Sequence, residues 1–189
     1  PSTIGLPSSS KMRESDGITR FGFIGRVDRA KGVEQLLEAF TTASIPNSEL
    51  LIAGVGLDAY VSAIRERWSS PSIKFLGQVR QSDFFPYIDV AIAPSLWNDT
   101  FPGVVFEALS FGKPVIGSRR GGIPEMIRDG VNGVLIEPTD LNAFIKAIES
   151  FSIDREALIR MSRAARESSL RFMDTDSWIE KYVSLYEEM

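Results

Sequence analysis

Two stretches of this sequence bring together residue types that can hold an anion. The first, Gly25-Arg26-Val27-Asp28-Arg29-Ala30-Lys31-Gly32, links a short apolar run to an amphipathic one. Glycine lets a backbone approach a ligand closely, and a helix start offers free N–H groups at the positive end of its dipole. Arg26 and Lys31 add two cations at the same mouth. An arginine can grip phosphate oxygens through a bidentate fork, and a lysine acts as a mobile point charge. With Gly25 beside them, these residues suit a diphosphate. The pattern is neither GxGxxG nor a Walker loop, so dinucleotide and ATP motifs do not apply. Taken alone, it is equally a turn that carries surface cations.

The second stretch runs from Pro94 through Asp99, Phe101, Pro102 and Glu107 to Gly112. Pro102 suits the first turn of a helix, where a missing N–H costs no hydrogen bond. Gly103, Val104 and Val105 would then turn their N–H groups toward an anion. Glu107 is the sole charge in an otherwise apolar helix. A buried carboxylate is costly unless satisfied, which makes ligand hydroxyls natural partners. Asp99, in the loop ahead of the helix, could reach a second group on the same ligand. The plainer alternatives are an ordinary loop aspartate and a solvated helix glutamate, and the spacing of the two acids does not decide between them.

These stretches need elements to hold them. From Thr19 onward, short apolar runs alternate with longer amphipathic ones: RFGFIG, ELLIAG, IKFLG, DVAIAPS, PVIGS and GVLIEP are each followed by a helix-like segment. This predicts an α/β fold, a Rossmann-like doubly wound parallel sheet of about six strands covered on both faces. Val33, Leu36, Leu37 and Phe40 recur at helical spacing. In such a sheet, ligands bind beyond the carboxyl ends of the strands at the switch point of strand order, where both stretches fall. Residues 1–17 read as a linker or irregular segment, 18–153 as the sheet domain, and 154–189 as helices packing on that domain. Asp154 and Asp174 are candidate N-caps. Arg155, Arg160, Arg163, Arg166 and Arg171 make a basic stripe, read here as a solvated face in preference to a membrane-surface or partner-facing one.

Composition narrows the chemistry. A chain of 189 residues supports one compact domain with a sizeable core. A formal net charge of −4 argues against nucleic acid as a partner, since phosphate backbones demand a basic surface. There are no cysteines and no histidines, which removes disulfides, thiolate metal sites and Ser-His-Asp or Cys-His catalysis. No metal and no cofactor is expected. No uncharged apolar run reaches the roughly 18 residues of a membrane span, and the first residues lack the apolar core of a signal peptide. A cytoplasmic setting is expected, with peripheral attachment of a longer protein to the cytoplasmic face of a membrane left open.

The order and spacing of these motifs carry a resemblance. GRVDRAKG, followed by WNDTFPGVVFEALSFGKPVIGSRRGGIPEMIRDGVNGVLIEP, resembles the C-terminal, donor-binding half of retaining GT-B glycosyltransferases of family 4, the group 1 type. The similarity spans about Phe21 to Pro138. It implies transfer of a sugar from a nucleotide diphosphate, a UDP-sugar or GDP-sugar, to an acceptor hydroxyl with retained configuration. It implies that Arg26 and Lys31 hold the diphosphate as it leaves and that Asp99 contacts donor-sugar hydroxyls. Glu107 would bind the ribose, and the backbone from Phe101 to Val105 would cradle the distal phosphate. Leu76-Gly77-Gln78-Val79 resembles the base-binding loop, with Val79 at the base. Gly121-Gly122-Ile123-Pro124-Glu125 is also similar to the family and is expected to shape the cleft. Asp99 departs from the family's glutamate by one methylene. The N-terminal acceptor-binding domain, where the family carries a catalytically important histidine, is absent from the sequence, so the 189 residues alone are expected to be nearly inactive. A non-catalytic nucleotide-sugar module, a sugar-nucleotide epimerase and a glycogen-synthase-like enzyme are the alternatives.

Overall fold

The computed structural model describes residues 16–171 together with positions 183, 184 and 186. Most of the irregular segment expected over 1–17 and most of the helix expected from Asp174 to Glu188 therefore lie outside the described residues.

The six apolar runs form six strands: β1 (Thr19–Ile24), β2 (Ser48–Ala53), β3 (Ile73–Gly77), β4 (Val90–Ala93), β5 (Val115–Ser118) and β6 (Gly133–Ile136). They make one parallel sheet in the order β3-β2-β1-β4-β5-β6, which reverses between β1 and β4. Among the described residues, seven α-helices connect or follow the strands: α1 (Val33–Ala43), α2 (Asp58–Arg67), α3 (Gln81–Phe84), α4 (Gly103–Ser110), α5 (Ile123–Met126), α6 (Leu141–Ile153) and α7 (Arg155–Leu170).

Because side chains alternate along a strand, the sheet feeds two cores. Phe21, Phe23, Leu50, Ile52, Val90, Ile92 and Ile116 pack against α1 and α6 on one face. Leu51, Ala53, Ala91, Ala93 and Val115 meet Phe84 of α3, Val105, Ala108 and Leu109 of α4, and Ile123 and Met126 of α5 on the other. The helical stripe expected in α1 is real: Val33, Leu36, Leu37 and Phe40 are all buried. A strand buried on both faces reads as a near-continuous apolar run, as these six do.

Asp154 caps α7 by accepting the Ala157 N–H at 2.8 Å. The basic stripe along this helix is exposed at every arginine, as expected of a solvated face, and three of its members also reach partners. The Arg166 guanidinium donates to the Ser110 carbonyl, that of Arg171 donates to the Glu125 carbonyl at 2.5 Å, and Arg155 lies 3.9 Å from Asp89. Arg166 and Arg171 thus satisfy carbonyls at the end of α4 and within α5. No described helix is long and apolar enough to cross a membrane.

Candidate functional site

The loop from β1 to α1 is built by backbone pairing with the loop after β2. The Gly25 N–H donates to Ala53 O at 3.0 Å and the Val27 N–H to Val55 O at 2.8 Å. Asp28 caps a short 3₁₀ turn over Arg29–Lys31, accepting the Lys31 N–H at 3.0 Å. Gly32 follows with φ +70, and a Cβ there would sit 2.0 Å from Pro94 O. Only glycine lets the start of α1 press so closely on the exit of β4. The same junction is tied by Leu96 and Trp97, whose N–H groups both donate to Ala30 O, at 2.8 and 3.2 Å.

The loop carrying Asp99 is gripped from β5. The Gly122 N–H donates to Asp99 O at 2.8 Å, and the Gly121 N–H to Asn98 Oδ1 at 3.1 Å. A Cβ on Gly121 would lie 2.1 Å from Asp99 O, and one on Gly122 2.0 Å from Thr100 O. The Gly121-Gly122 pair thus fixes the acid's backbone, which gives physical content to its expected part in shaping the cleft.

Two adjoining cavities meet over Ile24, Gly25 and Arg26 at the carboxyl edge of the sheet. The first, of about 280 Å³, is lined by Gly25, Arg26, Lys31, Asp99, Pro102, Gly103 and Val104 among others. The second, of about 660 Å³, opens between the loops after β2 and β3 and is lined by Val79 with Val55, Gln78 and Gln81. Residues from both sequence stretches therefore share one cleft at the switch point.

Charge within the cleft is paired before any ligand arrives. Lys31 Nζ pairs with Asp99 Oδ2, each side chain less than a third exposed. Arg26 pairs with Asp28 while remaining 70% exposed. At the start of α4, a Cβ added to Gly103 would meet nothing within 4 Å, so the backbone there is open to the cleft. The first N–H groups of a helix have no partner inside it, which leaves Gly103 and Val104 as donors. Val105 departs from the expectation. Its N–H already donates to Pro102 O at 2.9 Å and its side chain is fully buried, because the first turn closes tightly behind Pro102. Phe101 is 58% exposed, with its ring 6.5 Å from that of Phe106.

Glu107 is half-buried, and its Oε2 is enclosed with no hydrogen-bond partner. Burial pushes its carboxyl above the usual glutamate range, opposed by a hydrogen bond with Gln81. The reading of Glu107 as an ordinary solvated position is thereby set aside: this acid has unused acceptor capacity facing the α3 loop.

Sequence reasoning overlooked Gln81, which touches Glu107, and Gly54 and Val55, which line the larger cavity. The rule that ligands gather at loops following strands would have reached both, since each lies just past a strand.

Fold and site together define a doubly wound α/β domain with a cleft at its switch point that is lined by Arg26, Lys31 and Asp99. The chain belongs to the group 1 glycosyl transferases, matching that family over residues 9–168. It is 30% identical over 168 residues to a D-inositol 3-phosphate glycosyltransferase of Corynebacterium kroppenstedtii, covering 82% of this chain and 37% of the relative. It is 28% identical over 183 residues to spore coat protein SA of Bacillus subtilis, covering 88% and 48%. The chain thus spans less than half the length of these relatives. Among solved structures, Anabaena HepE in complex with UDP superposes with a TM-score of 0.81 at 22% identity, covering 92% of this chain and 50% of that one. The same Anabaena protein has been solved with UDP-glucose.

Proposed function

We propose that this chain is the donor-binding half of a retaining glycosyltransferase of family 4, and that its cleft holds a nucleotide diphosphate sugar. The observation that carries the reading is the pair of adjoining cavities that share Gly25 and Arg26: two cations and an open helix start line the smaller, and Gln81 of the larger contacts Glu107, whose buried oxygen has no partner. The Anabaena protein of the same fold, which holds UDP and UDP-glucose, supports that choice of ligand.

In this reading the diphosphate lies in the smaller cavity. Arg26, Lys31 and the N–H groups of Gly103 and Val104 neutralise the charge that develops as the diphosphate leaves, so no metal ion is required. Asp99 accepts from hydroxyls of the donor sugar, Glu107 accepts from the ribose, and the backbone around Val79 meets the base in the larger cavity. Asp99 and Glu107 bind hydroxyls here, in contrast to the acid and nucleophile of a glycosidase. The acceptor, and the group that takes the proton of its hydroxyl, are held by polypeptide outside these 189 residues, which alone bind the donor with little or no turnover.

Titration calorimetry of the 189-residue chain against UDP, GDP and ADP tests this. One diphosphate should bind with a defined stoichiometry. Lys31→Ala should weaken it by about 1.5–3 kcal/mol, the loss of a charge-assisted phosphate contact. Absence of binding across the panel would overturn the donor-domain reading, and unchanged affinity in the Lys31 variant would move the phosphates elsewhere.

A further inference from the structure

We propose that Asp99 competes with the diphosphate for Lys31, and that this competition makes the cleft prefer a sugar-bearing nucleotide over the free nucleoside diphosphate. The inference rests on the donor-binding reading above and concerns how that site tells its substrate from its product.

The pair lies within the cleft itself. Lys31 and Asp99 are 28% and 29% exposed and line the same cavity. The backbone that carries each is held in place. The Lys31 N–H is held by Asp28 at 3.0 Å, and Ala30 O takes the N–H groups of Leu96 and Trp97. Asp99 O is gripped by the Gly122 N–H at 2.8 Å, with both glycines of the Gly121-Gly122 pair pressed against the loop. The other cation differs. Arg26 is 70% exposed, so water can take the place of Asp28 at little cost when the arginine turns to a phosphate.

A phosphate that engages Lys31 must share or remove the partner of a sheltered carboxylate and sits close to its negative charge. A carboxylate so deprived carries a penalty unless new donors reach it. Free nucleoside diphosphate supplies none at that position. A nucleotide sugar supplies ring hydroxyls, which donate to the freed Asp99. The penalty therefore falls on the product and is offset for the substrate. Asp99 becomes an internal counter-ion that is handed to the sugar at the moment Lys31 is handed to the phosphate.

The test compares UDP with UDP-glucose, or GDP with GDP-mannose should the calorimetric panel select guanine, on the intact 189-residue chain. Asp99→Asn keeps the size of the side chain and its carbonyl acceptor but removes the charge. It should tighten UDP by about tenfold, the equivalent of about 1.4 kcal/mol, while UDP-glucose changes much less. The ratio of the two affinities should therefore fall. In a Lys31→Ala background, the same substitution should give most of that gain no longer, because there is no cation left to compete for. The proposal is overturned if Asp99→Asn leaves UDP unchanged or weaker, if it shifts both ligands equally, or if the gain persists in full without Lys31. Failure of the wild-type chain to bind any diphosphate would instead overturn the donor-binding reading itself.

Discussion

At the amino edge of the sheet, Arg20 is only 5% exposed and is held from several sides. Its Nε donates to Glu49 at 2.7 Å, its Nη2 lies 2.9 Å from Asp16, and its backbone N–H donates to Asp89 at 2.8 Å. Lys74 reaches Glu49 at 2.5 Å. At the carboxyl edge, Lys31 with Asp99 and Arg26 with Asp28 use the same residue types around an open cavity, and Glu107 keeps a buried oxygen without a partner. In the first cluster Glu49 is bonded by two bases drawn from the strands themselves, Arg20 and Lys74, and Asp16 by Arg20, so a ligand has nothing to add. In the second, each pair sits on a loop and borders empty volume, so an arriving anion can exchange partners. The difference lies in whether the partners are replaceable, and neither the count nor the kind of charge reveals it.

The largest effect that would sharpen this contrast is expected at the amino edge. Arg20→Ala leaves Glu49 and Asp16 short of a partner and should cost about 3 kcal/mol of stability, a drop in Tm on the order of 10 °C. Urea unfolding should show it, with nucleotide affinity of the folded chain unchanged. A parallel loss of affinity would break the separation of the two edges. Lys31→Ala is the milder counterpart, with weakened diphosphate binding and a Tm drop of about 3–5 °C from leaving the part-buried Asp99 without its cation.

Gly122→Ala should come next. Its Cβ would meet Thr100 O at 2.0 Å, so the Asp99 loop must shift. Binding of UDP-glucose should fall several-fold more than binding of UDP, because the displaced group is the one assigned to the sugar. Equal losses for the two ligands would show that the glycine pair supports the fold in general and not Asp99 in particular.

The smallest effect involves Glu107. Burial raises the pKa of its carboxyl, so the empty folded domain holds that proton more firmly than the unfolded chain does. The stability it contributes is present below the unfolded-state pKa and is lost as pH rises through the folded-state value. At neutral pH this acid therefore burdens the empty domain. Glu107→Gln should raise Tm by roughly 2 °C near pH 7, with the advantage vanishing toward pH 4. The same variant should bind the nucleoside diphosphate more weakly by about 1 kcal/mol. A thermal scan across pH that showed the opposite trend would remove Glu107 from the unsatisfied, ligand-facing class.

Much of the fold was legible because burial on both faces writes a parallel strand as an uninterrupted apolar run, and all six such runs became strands. The cleft was legible for a related reason: glycine and cations collected just past the strand ends. Other features were hidden. Lys31 and Asp99 lie 68 residues apart, and nothing local announces that they pair. The loss of Val105 as a donor depends on how tightly the chain turns behind Pro102, a backbone detail that residue types do not carry. The arginines of the C-terminal stripe are solvated as their spacing suggested, but the carbonyls that Arg166 and Arg171 also reach, at Ser110 and Glu125, are set by tertiary packing.

The hydrogen bonds from Leu96 and Trp97 to Ala30 O, with Gly32 pressed on Pro94, have a practical corollary for anyone recombining such domains. The cation loop and the acid loop form one mechanical part written in two places in the gene. A chimera that imports either loop alone inherits a mismatched seam, whereas residues 25–32 and 94–103 should be exchanged together, into a host that keeps the Gly121-Gly122 pair gripping Asp99.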